Sequence, residues 1–260
     1  MPLFYKITVL LSLSLFLGCN SISPIKENIP LNGLIVWADD GSDMALVKNL
    51  LAGQQQIISR SISGTQQQAI TYPQRRDYQH LYYMKSAGYL VAESKTPRNW
   101  LRFERINLNG DEITIIETPI PNASLCQDYP ETPNAYISPQ VIPSPNGQIL
   151  AYIYSQECAI ITVDFLNAKT LTTLDSQIIN TRYAVKPTWH SGGYLILAIA
   201  DDNSAWKLKP EQKPQVIAYP KCTQPETRSS AINKAGQLIQ YIDKTLVQTT
   251  GDKDKAFGCQ

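Results

Sequence analysis

The chain has 260 residues, with 23 basic and 22 acidic side chains and a formal net charge of +1. That length suits one large domain or two small ones with a full core and no need of covalent staples. The balanced charge leaves no electrostatic footprint for nucleic acid or an anionic membrane surface, and Arg75-Arg76 is too short a basic run to make one.

The first element in chain order is a leader. Lys6 is its only charged residue, and Ile7 to Gly18 is apolar except for Thr8, Ser12 and Ser14. A run of about 12 residues falls short of the roughly 20 needed to cross hydrocarbon, but it suits the apolar region of a secretory signal. Phe16-Leu17-Gly18-Cys19 resembles the lipobox of bacterial lipoproteins, in which the chain is cut before the cysteine and that cysteine is acylated. Gly18 and Cys19 match; Phe16 and Leu17 stand where that family usually has Leu and a small residue. The resemblance implies a signal peptide over residues 1–18, lipidation at Cys19 and a tether over residues 19–30, whose Ser, Pro, Lys, Glu and Asn have little to pack. An ordinary cleaved signal with a chance cysteine is the alternative. Several acyl chains anchor a protein stably where one does not. Asn20 after the cysteine implies, in the enteric pattern, an outer-membrane location facing the periplasm.

Beyond the tether the chain repeats. Five stretches align on a glycine: "GLIVWAD" from Gly33, "GYLVAES" from Gly88, "GQILAYIY" from Gly147, "GYLILAIA" from Gly193 and "GQLIQYID" from Gly236. Their starts are 55, 59, 46 and 43 residues apart; a propeller blade takes about 40–45. The two long spacings place insertions at "SISGTQQQAITYPQRRD" and "PIPNASLCQDYPETPNAY". The second unit reads as "QHLYYM", the turn "KSAG", then "YLVAES", "WLRFERIN" and "EITIIET". The third reads as "PQVIP", "SPNG", "QILAYIY", "SQE", "CAIITVDF" and "KTLTTLD". The fourth reads as "VKPTW", "HSGG", an apolar run from Tyr194 to Ala200, "DDNS", "AWKLK" and "QVIAY". Runs of this length bounded by Gly, Asn, Asp and Ser predict strands and turns, and no long segment past the leader has helical periodicity.

"PSPNGQILAYIY" and "PTWHSGGYLILAIADDNSAWKL" resemble the TolB-type propeller repeat, and "GLIVWADDGSDMALV" fits the second half of that pattern. The resemblance covers most of residues 31–250 and implies an all-β fold: a β-propeller of about five four-stranded blades over residues 31–260, irregular or incompletely closed. It lacks the amino-terminal α/β domain of TolB, so that protein's partner contacts do not transfer. The first unit reads as short of an inner strand and the last as short of an outer one; residues 20–32 or Ala256 to Gln260 are the expected source of the missing pieces.

Four cysteines follow Cys19. An even number in an exported chain favours two disulfides, and the absence of a Cys-x-x-Cys pair argues against a zinc ribbon or a redox dithiol. Chain order and position in the repeats favour Cys126–Cys158 and Cys222–Cys259. No nucleophile elbow, phosphate loop, zinc-helix motif or dinucleotide fingerprint is present, so no catalytic residue, metal or cofactor is assigned. The only histidines are His80 and His190. His190 reads as a turn residue, whereas His80, Tyr82 and Trp189 reach a ligand if inner strands line a channel. The pairs Asp39-Asp40 and Asp201-Asp202 fall at predicted turns, where Asp side chains bond nearby backbone; calcium ligation is the alternative. Gln54–Gln56 and Gln66–Gln68 read as solvated edge or loop.

Two functions compete. One is a lipid-anchored scaffold that binds an envelope protein or polymer. The other is a channel-centred hydrolase or lactonase. Propellers host both, and the sparse histidines favour the scaffold. Cys19→Ser is expected to release the protein from the membrane fraction or leave it as a precursor. Unchanged fractionation, with no acylated amino-terminal peptide by mass spectrometry, would overturn the lipidation.

Overall fold

The computed structural model describes residues 31–61, 66–120, 126, 137–180, 187–190, 192–199, 204–218, 237–242 and 245–250. The leader, the tether and the Cys222–Cys259 pairing lie outside the described residues. What is described is almost wholly β-strand. The first sheet runs β1 (Leu31–Trp37), β2 (Asp43–Asn49), β3 (Gln55–Ser61) and β4 (Gln67–Ala69). The second runs β5 (Asp77–Met84), β6 (Tyr89–Lys95), β7 (Trp100–Asn107) and β8 (Glu112–Pro119). The third contains β9 (Gln140–Pro143), β10 (Ile149–Glu157), β11 (Ile160–Asn167) and β12 (Thr173–Asn180). The fourth contains β13 (Pro187–His190), β14 (Tyr194–Ile199), β15 (Ser204–Leu208) and β16 (Gln215–Ala218). A final hairpin pairs β17 (Gln237–Ile242) with β18 (Thr245–Thr250). Each four-stranded sheet is an antiparallel meander in chain order.

The sequence alternation explains how these sheets stack. In β5, Leu81 and Tyr83 join a core shared with β1, β2 and β3, while Tyr82 and Met84 join a core shared with the third and fourth sheets. In β6, Leu90 and Ala92 face the first core, and Tyr89 and Val91 the second. A strand that is apolar at every position buries both faces, so the second sheet is sandwiched between its neighbours. The third is held likewise: Tyr152 packs on Phe103 of the second sheet, and Phe165 packs edge-on against Trp189 of the fourth. First strands lie side by side, with a parallel bridge from Ala38 to Tyr83 joining β1 to β5. Sheets stacked face to face with their first strands adjacent are propeller blades, as the repeat predicts.

Three local expectations change. The predicted insertion after Ser61 supplies β4, so the first sheet has four strands and is not short of an inner one. Gly33, aligned in the repeat with the turn glycines Gly88, Gly147 and Gly193, sits inside β1, beside a register shift between Leu31 and Ile35. The sequence predicts "KTLTTLD" as a strand throughout. Instead Asn167 accepts the backbone N–H groups of Lys169 (2.9 Å) and Thr170 (3.1 Å), which holds a turn and delays β12 to Thr173. A short Asn side chain offers the backbone a local alternative to the ladder.

Cys126 and Cys158 are bonded, with Cα atoms 5.5 Å apart. They tie the connection between the second and third blades to the β10–β11 turn, where Ala159 takes a positive φ of 66°.

Glycine is required most strictly at Gly147, in the turn before β10. Its φ is +67°, and a Cβ there would lie 2.6 Å from the Cβ of Ala87 in the neighbouring blade. Gly193 has a φ of +76° but open space around it. Gly147→Ala is expected to destabilise by about 3 kcal/mol or more, combining the left-handed cost with a rigid overlap. Gly193→Ala carries only the backbone cost of about 1 kcal/mol. Urea unfolding of both variants checks the difference; equal losses would contradict the close blade-to-blade approach.

Candidate functional site

In an antiparallel meander, the turns joining first to second and third to fourth strands fall at the same end of the blade. Side-chain bonds join each pair of neighbouring blades at that end. Between the first two blades, the carboxylate of Asp39 accepts from the N–H (3.0 Å) and hydroxyl of Ser86, and Lys85 pairs with Asp43 and donates to Ser42 Oγ (2.7 Å). Between the second and third, the Tyr89 hydroxyl donates to the carbonyl of Gly147 (2.7 Å). Arg105 Nη1 donates to the carbonyls of Ala168 (2.5 Å) and Lys169 (2.7 Å). Between the third and fourth, Gln177 Nε2 donates to the carbonyls of Lys209 and Gln212, both at 2.8 Å, and Asp175 accepts from the N–H of Glu211 (2.9 Å). Gln177 also donates to Asp175, which holds that carboxyl below its ordinary range. In each of the last two seams, a side chain of one blade satisfies turn carbonyls of the next.

The seam between the second and third blades opens into a cleft of about 750 Å³. Arg105, Asn107, Asn146, Gln148, Asn167 and Lys169 supply its polar lining, with Tyr89 and Gly147 beside them. The orientation of the three asparagines follows from their partners. Asn107 Oδ1 accepts from Arg105 Nη2 (3.0 Å), and a guanidinium only donates. Asn146 Oδ1 accepts from the Gln148 N–H (3.1 Å) and the Ser144 hydroxyl (2.8 Å). Asn167 Oδ1 accepts the two turn N–H groups already described. Each amide oxygen is therefore used inside the protein, and each amino group lies outside these bonds.

The residues singled out in the sequence fall elsewhere. Tyr82 and Trp189 are core residues, 7% and 3% exposed; Trp189 donates its indole N–H to the Ile142 carbonyl (3.1 Å). Neither offers a surface to a ligand, because inward positions of these strands fill the space between blades. His80 is half-buried opposite Glu93 in the β5–β6 ladder and does not line the cleft. His190 behaves as a turn residue: Nδ1 accepts from the Gly192 N–H (2.9 Å), and its ring stacks on Tyr194 at 4.4 Å, with Lys207 Nζ 4.7 Å from the Tyr194 ring centre. Asp40 likewise accepts from Ser42 in its own turn (2.9 Å to the N–H), while Asp201-Asp202 lies outside the described residues. Among the described residues no group of three or more His, Cys, Asp or Glu side chains is placed to hold a metal.

The two glutamine runs divide. Gln67 and Gln68 are exposed in β4, whereas Gln55 bonds Asn49 (2.9 Å) and accepts the Tyr78 N–H (2.9 Å) across the blade junction. Arg76, read as part of a short basic run, pairs with Glu104 and Glu112. The side chain of Glu104 is fully buried and also held by Arg102 at 2.8 Å. The cleft residues gave one signal in the sequence: "SPNG" marks Asn146 as a turn former. Nothing marked Arg105.

No family model matches this sequence, and neither does any curated protein sequence. Among solved structures, an uncharacterised protein of Listeria monocytogenes is similar at a TM-score of 0.50 and 9% identity, over 87% of this chain and 68% of that one. TolB of Acinetobacter baumannii is similar at 0.42 and 16% identity, over 73% of this chain and 41% of that one. The β-propeller domain of the trilobed protease of Pyrococcus furiosus is similar at 0.44 and 7% identity, over 81% of this chain and 61% of that one. The chain thus spans less than half of the TolB structure, and likeness at these identities is one of fold.

Burial in these seams shapes the alkaline limb of stability. Desolvation pushes Tyr83 up to about 12, with Asp43 and Asp40 adding to it, and pushes Tyr89 and Tyr78 above the ordinary value near 10. The folded state therefore keeps protons that the unfolded chain loses. Stability is unaffected by these groups below about pH 10; above it the Tyr83 contribution falls by roughly 1 kcal/mol per pH unit up to about pH 12, and Tyr89 and Tyr78 act in the same direction. Unfolding free energies measured across that window, with Tyr83→Phe removing part of the slope, check the sign. A flat profile would refute it.

Proposed function

We propose that this chain is a lipid-anchored, non-catalytic binding module of the bacterial envelope. Residues 1–18 act as its signal, residues 19–30 as its tether and residues 31–260 as a propeller that presents its turn-bearing end to an envelope protein or polymer. The observation that carries this reading is how polar groups are used at that end. Lys85, Asp43, Asp39 and Arg105 are committed to bonds that hold blades together or close their turns. The open cleft is lined mainly by amides, with Arg105, Lys169, Ser86 and Tyr89 beside them, and none of these forms a nucleophile–base pair. This is recognition chemistry rather than bond-breaking chemistry.

The Cys126–Cys158 bond supports export, since disulfides persist in oxidising compartments. The Gly18-Cys19 junction supports attachment at the outer membrane. A tether a dozen residues long would keep the propeller near the bilayer surface, where envelope partners are concentrated.

The test is an affinity capture from detergent-solubilised envelope using the full lipidated chain. Two variants accompany it: Gln148→Trp, which obstructs the turn-bearing end, and Ile178→Glu, which alters an outer strand where Ile178 is 65% exposed. A specific partner is expected with the wild type and Ile178→Glu and is expected to be lost with Gln148→Trp. A partner retained equally by all three would move the interface off this end. Turnover of an ester or lactone by the purified chain, abolished by Gln148→Trp, would replace the scaffold with an enzyme.

A further inference from the structure

We infer that the cleft between the second and third blades binds an oxyanion: the carboxylate or phosphate of a sugar-sized ligand. The inference rests on reading the turn-bearing end as the binding face and gives that face a ligand class.

The lining is one-sided in its chemistry. The orientations of Asn107, Asn146 and Asn167 are set by partners that donate, so what these residues still offer is N–H. Among the described residues no acidic side chain lines the cleft, and two basic ones do. Arg105 is 7% exposed, and its guanidinium bonds only neutral acceptors: two backbone carbonyls and one amide oxygen. Among the described residues neither Arg105 nor Lys169 is paired with a carboxylate. A buried positive charge without a counter-charge is costly. The other buried charge of this blade is treated differently: Glu104 is bracketed by Arg76 and Arg102. An anion in the cleft would provide what the protein omits beside Arg105, and the amide N–H groups around it would donate to its remaining lone pairs. The volume of about 750 Å³ suits a small polar molecule rather than a bare ion.

The cleft is also held in shape without the ligand. Arg105 and Tyr89 bond backbone carbonyls of the facing turns, and Gly147 admits close approach of Ala87. Donors on a preformed frame lose little ordering entropy on binding.

The full chain is titrated at low salt with sodium D-glucuronate, inorganic phosphate and, as the neutral comparison, D-glucose, with binding read by calorimetry and by saturable amide shifts. At least one anion is expected to bind, and to bind more weakly as salt rises. Binding of glucuronate alone identifies a carboxylate ligand and binding of phosphate alone a phosphate; either supports the site. Asn167→Asp keeps the oxygen that closes the turn but trades the amino group for a negative charge. This variant, and separately Lys169→Gln, is expected to weaken binding by about tenfold or more with the melting temperature unchanged. Three results would overturn the proposal: no saturable binding of either anion, glucose binding as well as glucuronate, or both folded variants binding like the wild type. Failure here with partner capture by the same end intact removes only the ligand class. Anion binding without any captured partner removes the scaffold reading instead.

Discussion

The second blade of this protein has no free face. The second sheet buries Leu81, Tyr83, Leu90 and Ala92 against one neighbour, and Tyr82, Met84, Tyr89 and Val91 against the other. Its strands must therefore be apolar at nearly every position, and it cannot be stable alone, since either face exposed would return a large apolar surface to water. Everything else follows from that obligation to stack. First strands come side by side, turns of adjacent blades come within bonding distance, and polar groups at the seams must find partners because water is excluded there.

The seams answer that need with long side chains that cross to the next blade's turn. Tyr89 reaches Gly147, Arg105 reaches Ala168 and Lys169, and Gln177 reaches Lys209 and Gln212. These bonds link residues tens of positions apart in sequence, 63 in the case of Arg105 and Ala168. They do two things at once. They satisfy turn carbonyls that would otherwise be orphaned beside the core, and they fix the distance at which two blades stand. Where that distance leaves room, between the second and third blades, the result is a cleft whose walls are already rigid. The lining of that cleft is set by the same packing: neutral amides of the turns, with the buried Arg105 and the exposed Lys169 beside them.

Electrostatics separates two kinds of buried charge. Glu104 is surrounded by guanidinium groups and completes a closed network with Glu112 and Glu117 through Arg76 and Arg102. It holds the loop before β5 against β7 and has the character of a staple. Arg105, on the opposite face of the same strand and one residue away, has only dipoles around it. Successive residues of a strand point to opposite faces, so one strand presents a satisfied charge to the first blade and an uncompensated one to the third.

Much of the fold was legible in the residues. Strand-length apolar runs bounded by Gly, Asn, Asp and Ser marked the strands of the second, third and fourth blades, because those signals depend only on local backbone geometry and on which faces are buried. Local chemistry also placed Asn146 and His190 at turns, but not Asn167. The sequence could not separate an insertion from an outer strand after Ser61, since β4 is short and exposed and carries no apolar pattern. It put Tyr82 and Trp189 toward a channel, when strand position alone does not say whether an inward side chain meets space or another blade. Arg105 had no signature at all. What it touches is decided by where the third blade's turn lands against the second, a contact between residues far apart in the chain. The sequence by itself determined the strands, their turns and the two-faced apolar pattern that forces blades to stack. Only the tertiary structure decided which polar groups meet at each seam, because hydrogen bonds between blades depend on packing distances that no local pattern encodes.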